Sequence, residues 1–357
     1  MPRFDYKGAV HIHTTYSDGG GDMEEVLSAA RSAGLDFLVI SDHDTLAPKT
    51  DGWEGWKEGV LVVVAAEITA KRRGHILTLE MNDVDGLKDL PPEEYLPRVK
   101  GQGGWAFVVH PLGRSEYNPQ RRRESWCDWT RPEIDGIEIW AYMHDWIEGL
   151  NYRRFLGYLL HPESKITGPP PEVLSVWDEL GRRRRIAGIG GLDAHSRRTF
   201  LSKIKIFPYE NLFKTIRTHI LCEPFTEKDE EDIKRVASAL VEGRSYVAYD
   251  FLADATGFSF TASDSQGTYE MGQEIGSSAR SLDKVAAKES AGGDRGPVEF
   301  AVTSPFEAEI YLLKDGLVVS QAKGTSLKLE RAESGVYRAE VKLAGKPWVF
   351  SNPIYLR

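Results

Sequence analysis

Over the first 250 residues, short apolar runs alternate with amphipathic stretches. The runs fall at residues 8–13, 36–41, 60–67, 75–79, 105–110, 136–140 and 186–190. Most are rich in Val and Ile, bounded by Gly or polar residues, and too short for helices, which predicts buried strands. Between the first two lies DMEEVLSAARSAG, in which Met23, Val26, Leu27 and Ala30 make one apolar stripe. Asp22 is placed to cap that helix with Glu25 completing a capping box, and Gly34 to end it. Further helices are predicted at 92–101, 148–160, 171–182, 210–219 and 227–242. Strand and helix in alternation imply a parallel sheet with crossover helices, and about seven strands suit a closed or nearly closed β/α barrel.

The pattern changes after Asp250. Segments such as FSFTAS, VEFAVTS, AEIYLLKDG, GVYRAEVKL and PWVFSNPIYL alternate with strand periodicity, and helical periodicity is largely missing. A division into an α/β unit over 1–250 and a β-sandwich-like unit over 251–357 follows. The polar, Gly/Ser/Lys-rich stretch 279–297 is expected to be a mobile loop.

Composition narrows the class. With 41% hydrophobic and 28% charged residues the 357-residue chain has the make-up of a globular protein. No stretch approaches the ~18 apolar residues of a membrane span, and MPRFDYKGAV lacks the pattern of a secretory leader. Cys127 and Cys222 cannot build a disulfide framework. A cytoplasmic location is therefore expected, with no membrane partner and with a homo-oligomer left open. The net charge of −9 disfavours a polymeric nucleic-acid substrate and points to a small molecule.

Candidate chemistry sits at the ends of the predicted strands. His11 and His13 close the first run, one residue apart, and alternate residues of a strand share a face. Asp18 follows in SDGGG, His43 in SDHD, and Glu67 ends the third run, with His75 opening the next. His110 ends WAFVVH, and Asp193 with His195 follows IAGIGG. A lone His-x-His pair or a lone turn Asp is a weak signal, but imidazoles and carboxylates delivered by successive strand ends point to one mouth. Burying them unpaired is costly. A divalent metal cluster resolves that cost; imidazole and carboxylate ligands suit Zn, Mn or Fe, and the absence of thiolates argues against a structural Cys-type zinc site.

In their order, HIHTTYSDG, SDHD, the Glu67–His75 pair, His110 before Pro111, and DAH at 193–195 resemble the motifs of the PHP (polymerase and histidinol phosphatase) superfamily of metal-dependent phosphoesterases. The resemblance covers about residues 7–250. It implies a distorted (β/α)7 barrel and up to three metal ions. His11, His13, Glu67 and Asp193 would hold one metal. Glu67 would bridge to a second held by His75 and His110, and Asp18, His43 and His195 would hold a third. Many relatives carry His where this chain has Asp18. The tail ending WVFSNPIYL is similar to that of a bacterial branch that includes carbaryl-hydrolysing carbamate hydrolases.

Such a centre implies hydrolysis by a metal-bridging hydroxide, with the metals acting as Lewis acids on a phosphate ester. Glu67 and His195 are then part of the catalytic set. Asp44 is a candidate proton donor to the leaving group, and Asp42 a candidate to orient a ligand histidine, although both also suit loop capping. Arg114, Arg197 and Arg198 lie close enough in sequence to ligands to reach bound phosphate. Arg121–Arg123 and Arg182–Arg185 read as solvated charge. Trp140, Tyr142 and His144 are placed to form an aromatic wall or to pack the rim, and His161 and His219 read as structural. The same centre could hydrolyse a carbamate, ester or amide, or serve as a metal-stabilised scaffold without catalysis. Arginines facing the centre favour phosphate, and an apolar mouth lined by Trp140 and Tyr142 favours a neutral aryl ester.

Overall fold

The computed structural model describes residues 3–70, 74–112, 125–126, 128–148, 162–197, 205–276 and 296–357. Its architecture is mixed α/β, with strands in two sheets. β1 (Phe4–Ile12), β2 (Phe37–Ile40) and β4 (Val60–Val64) run parallel, with the short β3 (Gly55–Lys57) antiparallel on β4. A break at Ala65 divides the third apolar run, so that β5 (Ala66–Thr69) starts a second sheet. That sheet continues through β6 (His75–Leu79), β7 (Trp105–Val109), β8 (Gly136–Ala141) and β9 (Ala187–Gly191). β5, β6 and β7 are antiparallel neighbours, whereas β7, β8 and β9 are parallel. Single bridges between Ile12 and Ala194 and between His43 and Glu67 join the two sheets at both borders. Every strand end bearing a candidate ligand therefore meets in one place.

The helices follow their apolar stripes. In α1 (Met23–Ala33) the Asp22 carboxylate accepts the Glu25 amide at 2.9 Å, and Gly34 takes the left-handed conformation that stops the turn. Met23, Val26, Leu27 and Ala30 are all buried. α2 (Ala47–Thr50) is a single turn, and α3 (Pro92–Gly101) and α5 (Pro171–Arg183) start on prolines, whose missing amide costs nothing there. The short α4 (Tyr142–Glu148) follows β8 without a break. The helix expected over 210–219 is cut short. Only Tyr209–Leu212 (α6) is helical, and Ile216–Cys222 forms β10. Leu212, Phe213 and Ile216 mimic helical spacing. The chain nevertheless pairs antiparallel with β1, where the buried polar residues of β10 find partners. α7 (Asp229–Glu242) and β11 (Ser245–Tyr249) complete this part.

Beyond Asp250 the strands are antiparallel with few exceptions: β12 (Ser259–Asp264), β13 (Gly267–Glu270), β14 (Glu274–Ile275), β15 (Glu299–Lys314), β16 (Leu317–Leu329), β17 (Gly335–Leu343), β18 (Lys346–Ser351) and β19 (Ile354–Leu356). They enclose a second core containing Phe260, Phe300, Ile310, Tyr337 and Trp348. β18 pairs with β11 through Tyr246–Ser351, Val247–Phe350 and Ala248–Val349, so these strands extend the sheet that holds β1. The Asn352 amide donates to Gly188 O at 2.8 Å, and its Oδ1 accepts the Gly188 amide at 2.7 Å. Tyr355 Oη accepts the Ile186 amide at 3.0 Å. The tail thus braces β9, the strand that runs into Asp193. The expected loop over 279–297 lies almost wholly outside the described residues, as do most of the helix expected over 148–160, His161 and Arg121–Arg123. No helix among the described residues is long and apolar enough to cross a membrane.

Candidate metal centre

β1 delivers the first two imidazoles through an irregularity. Its register shifts between Val10 and Ile12, and His11 adopts a φ of 67°. His110 and Asp193 also have positive φ, at 29° and 52°. Such backbone is strained for residues with a side chain, and it recurs here at three candidate ligands. The strand ends are bent to aim donors inward. Simple alternation along a strand does not describe His11 and His13, because the bulge falls at His11 itself.

Glu67 is the hub. It is buried, with 1% exposure, and its Oε1 lies 2.6 Å from His75 Nδ1 and 2.9 Å from His110 Nε2. Its Oε2 lies 3.1 Å from His13 Nε2, 3.2 Å from His11 Nε2 and 3.3 Å from His43 Nδ1. Asp193 Oδ1 is 3.3 Å from His13 Nε2 and 3.6 Å from His11 Nε2. On the outer side Asp18 Oδ1 is 3.0 Å from His195 Nε2 and 3.8 Å from His43 Nε2. Ligand atoms within 4.8 Å of one another form four groups: His11–His13–Glu67–Asp193, His43–Glu67–His75, His13–Asp18–His43–His195, and His110–His144–Asp193. All nine ligands expected from the sequence enter these groups.

The donors fit divalent cations. Both ring nitrogens of His13 are buried, and neither makes a hydrogen bond among the described residues. Burial pushes the Glu67 carboxyl up, but the imidazoles of His11 and His75 outweigh it and hold the group well below the usual carboxylate range. Asp193 is likewise held low against burial by His13 and His144. Burial and the neighbouring His144 push His110 down to about 4, and burial lowers His43. Ionised carboxylates and neutral imidazoles are the ligating forms. Burial opposes charge on His11 and His13 too. There Glu138 and Glu67 raise His11 well above its ordinary value, and Asp193 with Glu67 raises His13 to about 9. Cation uptake at that position therefore displaces protons.

Two contributors were not assigned these roles by the sequence reading. Glu138, on β8, accepts from His11 Nδ1 at 2.8 Å and from the His110 amide at 2.6 Å. Its signal was present: a lone carboxylate inside the apolar strand GIEIWA must have partners if that strand is buried. Gly191 makes room, since a Cβ there would sit 1.7 Å from Glu138 Oε1. His144, expected beside an aromatic wall, lies in a donor group instead, with its ring stacked on His110 at 4.3 Å.

Several of the other candidates make structural contacts. Asp42 accepts from the Thr14 amide and hydroxyl, both at 2.7 Å, and from Ser17 Oγ at 2.6 Å, contacts that fix the loop carrying Asp18. Asp44 accepts the Thr69 amide at 2.8 Å and pairs with Lys88 at 3.3 Å. Those contacts are loop-fixing, and Asp44 belongs to none of the four donor groups. Trp140 and Tyr142 do not line an open wall. They are 0% and 1% exposed, and the Trp140 indole donates to Asp145 and packs on Tyr249 and Phe350. They lie at the end of a strand buried on both faces, where large rings fill the core. Arg197 pairs with Asp18 Oδ2 at 2.6 Å. Arg114 and Arg198 lie outside the described residues. His219 is buried between Asp5 and Asp250, away from the donor groups.

No protein-family model matches the sequence. The uncharacterized protein MJ1587 of Methanocaldococcus jannaschii is 32% identical over 154 residues, 40% of this chain and 85% of that protein. The phosphoribosyl 1,2-cyclic phosphate 1,2-diphosphodiesterase of Eggerthella lenta is 38% identical over 80 residues, 21% of this chain, and the match spans 30% of that enzyme. Among solved structures, a two-domain protein from Bacteroides vulgatus containing a predicted PHP-like metal-dependent phosphoesterase is similar over 98% of this chain and 95% of its own, at 14% identity and a TM-score of 0.45. The lesion-specific endonuclease Q of Pyrococcus furiosus is similar over 66% of this chain and 56% of its own, at 13% identity and a TM-score of 0.40. With its ordered His-x-His, Ser-Asp-His-Asp, Glu–His, His-Pro and Asp-x-His motifs drawn to one centre, the chain belongs to the same family as MJ1587.

Proposed function

We propose that the protein is a metal-dependent phosphoesterase acting on a small phosphorylated molecule. The observation that carries this reading is Glu67, a buried carboxylate whose two oxygens face separate sets of imidazoles. That arrangement suits a carboxylate shared between two cations. His11, His13, Glu67 and Asp193 would hold one, and Glu67, His75 and His110 a second. Asp18, His43 and His195 would hold a third. When bound, the cations supply Lewis acidity and an activated water. The two sheets, joined at both borders, are read as a distorted (β/α)7 barrel over 1–250, followed by a β-rich unit over 251–357.

Arg197 is the substrate reader in this proposal. Its guanidinium is 65% exposed and its partner Asp18 43% exposed. An ion pair that open to water is worth about 0–1 kcal/mol, so a doubly charged phosphate competes well for the arginine. Asp18 is then released toward His43 and His195. The burial of Trp140 and Tyr142 takes away the apolar mouth on which the aryl ester or carbamate reading rested. The cyclic phosphodiesterase activity of the Eggerthella lenta relative is in line with phosphate chemistry. The net charge of −9 disfavours a long polyanion.

The test is a turnover assay on protein stripped with chelator and reloaded with Zn, Mn or Fe, using p-nitrophenyl phosphate, cyclic phosphodiesters, phosphorylated metabolites and an aryl carbamate. Reloaded protein should cleave phosphate esters, and Glu67→Ala should lose both metal and turnover. Arg197→Gln should raise KM for phosphomonoesters with little change in kcat. Full turnover by stripped protein, or turnover of the carbamate alone, would refute the proposal.

A further inference from the structure

His144 is held as firmly as any residue of the centre. It lies in the first turn of α4, and the next residue, Asp145, is buried and anchors that turn. Asp145 accepts from Trp140 Nε1 at 3.0 Å, from Thr167 Oγ1 at 2.8 Å and from the Gly168 amide at 3.0 Å. The Met143 amide donates to Leu192 O at 3.3 Å, tying α4 to the chain one residue before Asp193. The imidazole lies parallel to that of His110, with 8° between the planes. These contacts fix both the position and the tilt of the ring.

The two oxygens of Asp193 have different neighbours. Oδ1 faces His13 at 3.3 Å, His195 at 3.5 Å and His11 at 3.6 Å. Oδ2 faces His144 Nε2 at 3.5 Å. The crevice that His144 lines with His110, Glu138 and Asp145 encloses about 20 Å³, room for one water and no substrate group. A wall for substrate is therefore not its role on that side.

We infer that His144 is a positioning residue: its Nε2–H holds Asp193 Oδ2, so that Asp193 turns Oδ1 alone to the cation position of His11, His13 and Glu67. Ligating carboxylates are commonly held in place by such an outer hydrogen-bond partner. The inference rests on the metal-centre reading above, not on which ester is cleaved.

The experiment is titration of the stripped full-length protein with Co²⁺ against a competing chelator, following the visible absorption bands, with the folded state of each variant checked by circular dichroism. His144→Ala should weaken Co²⁺ binding about 10–100-fold and shift the bands. His144→Gln, whose amide can donate from nearly the same point, should restore both to near wild type. Unchanged affinity and bands in His144→Ala would overturn the inference. So would a folded His144→Gln that stays as impaired as His144→Ala, since the imidazole would then be a direct ligand. Should His144→Ala fail to fold, His144→Gln decides alone by the same criteria. Wild-type protein that binds no Co²⁺ would instead sink the metal-centre reading itself, a result read separately from any variant.

Discussion

Glu138→Gln changes one atom and should disturb the candidate ligand His11. The carboxylate is 1% exposed, and each oxygen already has a committed donor, His11 Nδ1 on Oε1 and the His110 amide on Oε2. A glutamine keeps the size but offers only one acceptor. The His110 amide is backbone and cannot change its role, so the remaining oxygen stays with it and the new NH₂ group faces His11 Nδ1. His11 must then move its proton to Nε2, the nitrogen aimed at Glu67 and Asp193. That proton occupies the lone pair a cation would use. Loss of such an outer partner weakens metal binding about 10–100-fold, equivalent to about 1.4–2.7 kcal/mol. In the metal-free protein, an imperfectly paired buried donor costs about 1–3 kcal/mol. Competition titration with a chromogenic chelator measures the first quantity and urea unfolding of stripped protein the second. Gly191→Ala should act in the same direction, because its Cβ would fall 1.7 Å from Glu138 Oε1. A Glu138→Gln protein that binds metal within twofold of wild type would refute the tautomer argument.

Three further outcomes are expected. His219 is fully buried, and despite the burial penalty Asp250 and Asp5 raise it to about 9. Its folded value thus exceeds the unfolded one near 6.5, so its stabilisation is present in full below pH ~6.5 and fades as pH rises through about 9, by roughly 3 kcal/mol at most. Urea midpoints from pH 6 to 10 should show this slope in wild type and a shallower one in His219→Gln; parallel slopes would contradict it. Asn352→Ala leaves the amide and carbonyl of Gly188 unpaired beneath the tail, at about 1–3 kcal/mol each, and should lower the midpoint of unfolding strongly. Trp140→Ala should cost about 3–5 kcal/mol of stability, as for any large core ring, and a change confined to KM in a protein of unaltered stability would restore its place in the substrate wall.

That these nine donors would gather was legible in the sequence because chemistry and chain position coincide: each lies at or near the border of an apolar run, where a side chain can reach a common mouth. The first helix was legible for a local reason, since Asp22, the apolar stripe and Gly34 act within one stretch of chain. What escaped the sequence depends on distant partners. The segment Ile216–Cys222 is a strand because β1 accepts its backbone and because Asp5 and Asp250 satisfy His219, none of which its own spacing reveals. Trp140 and Tyr142 follow a strand end as a pocket wall would, yet the cores beneath them decide that they face inward. His144 and Glu138 have unremarkable sequence neighbours, and only the meeting of β8 with β1, β7 and the segment after β9 turns them toward His11, His110 and Asp193. The sequence determined which donors exist and roughly where each strand presents them. Tertiary structure decided which lone pairs face one another, because aim depends on bulges, strained dihedrals and buried partners contributed by other parts of the chain.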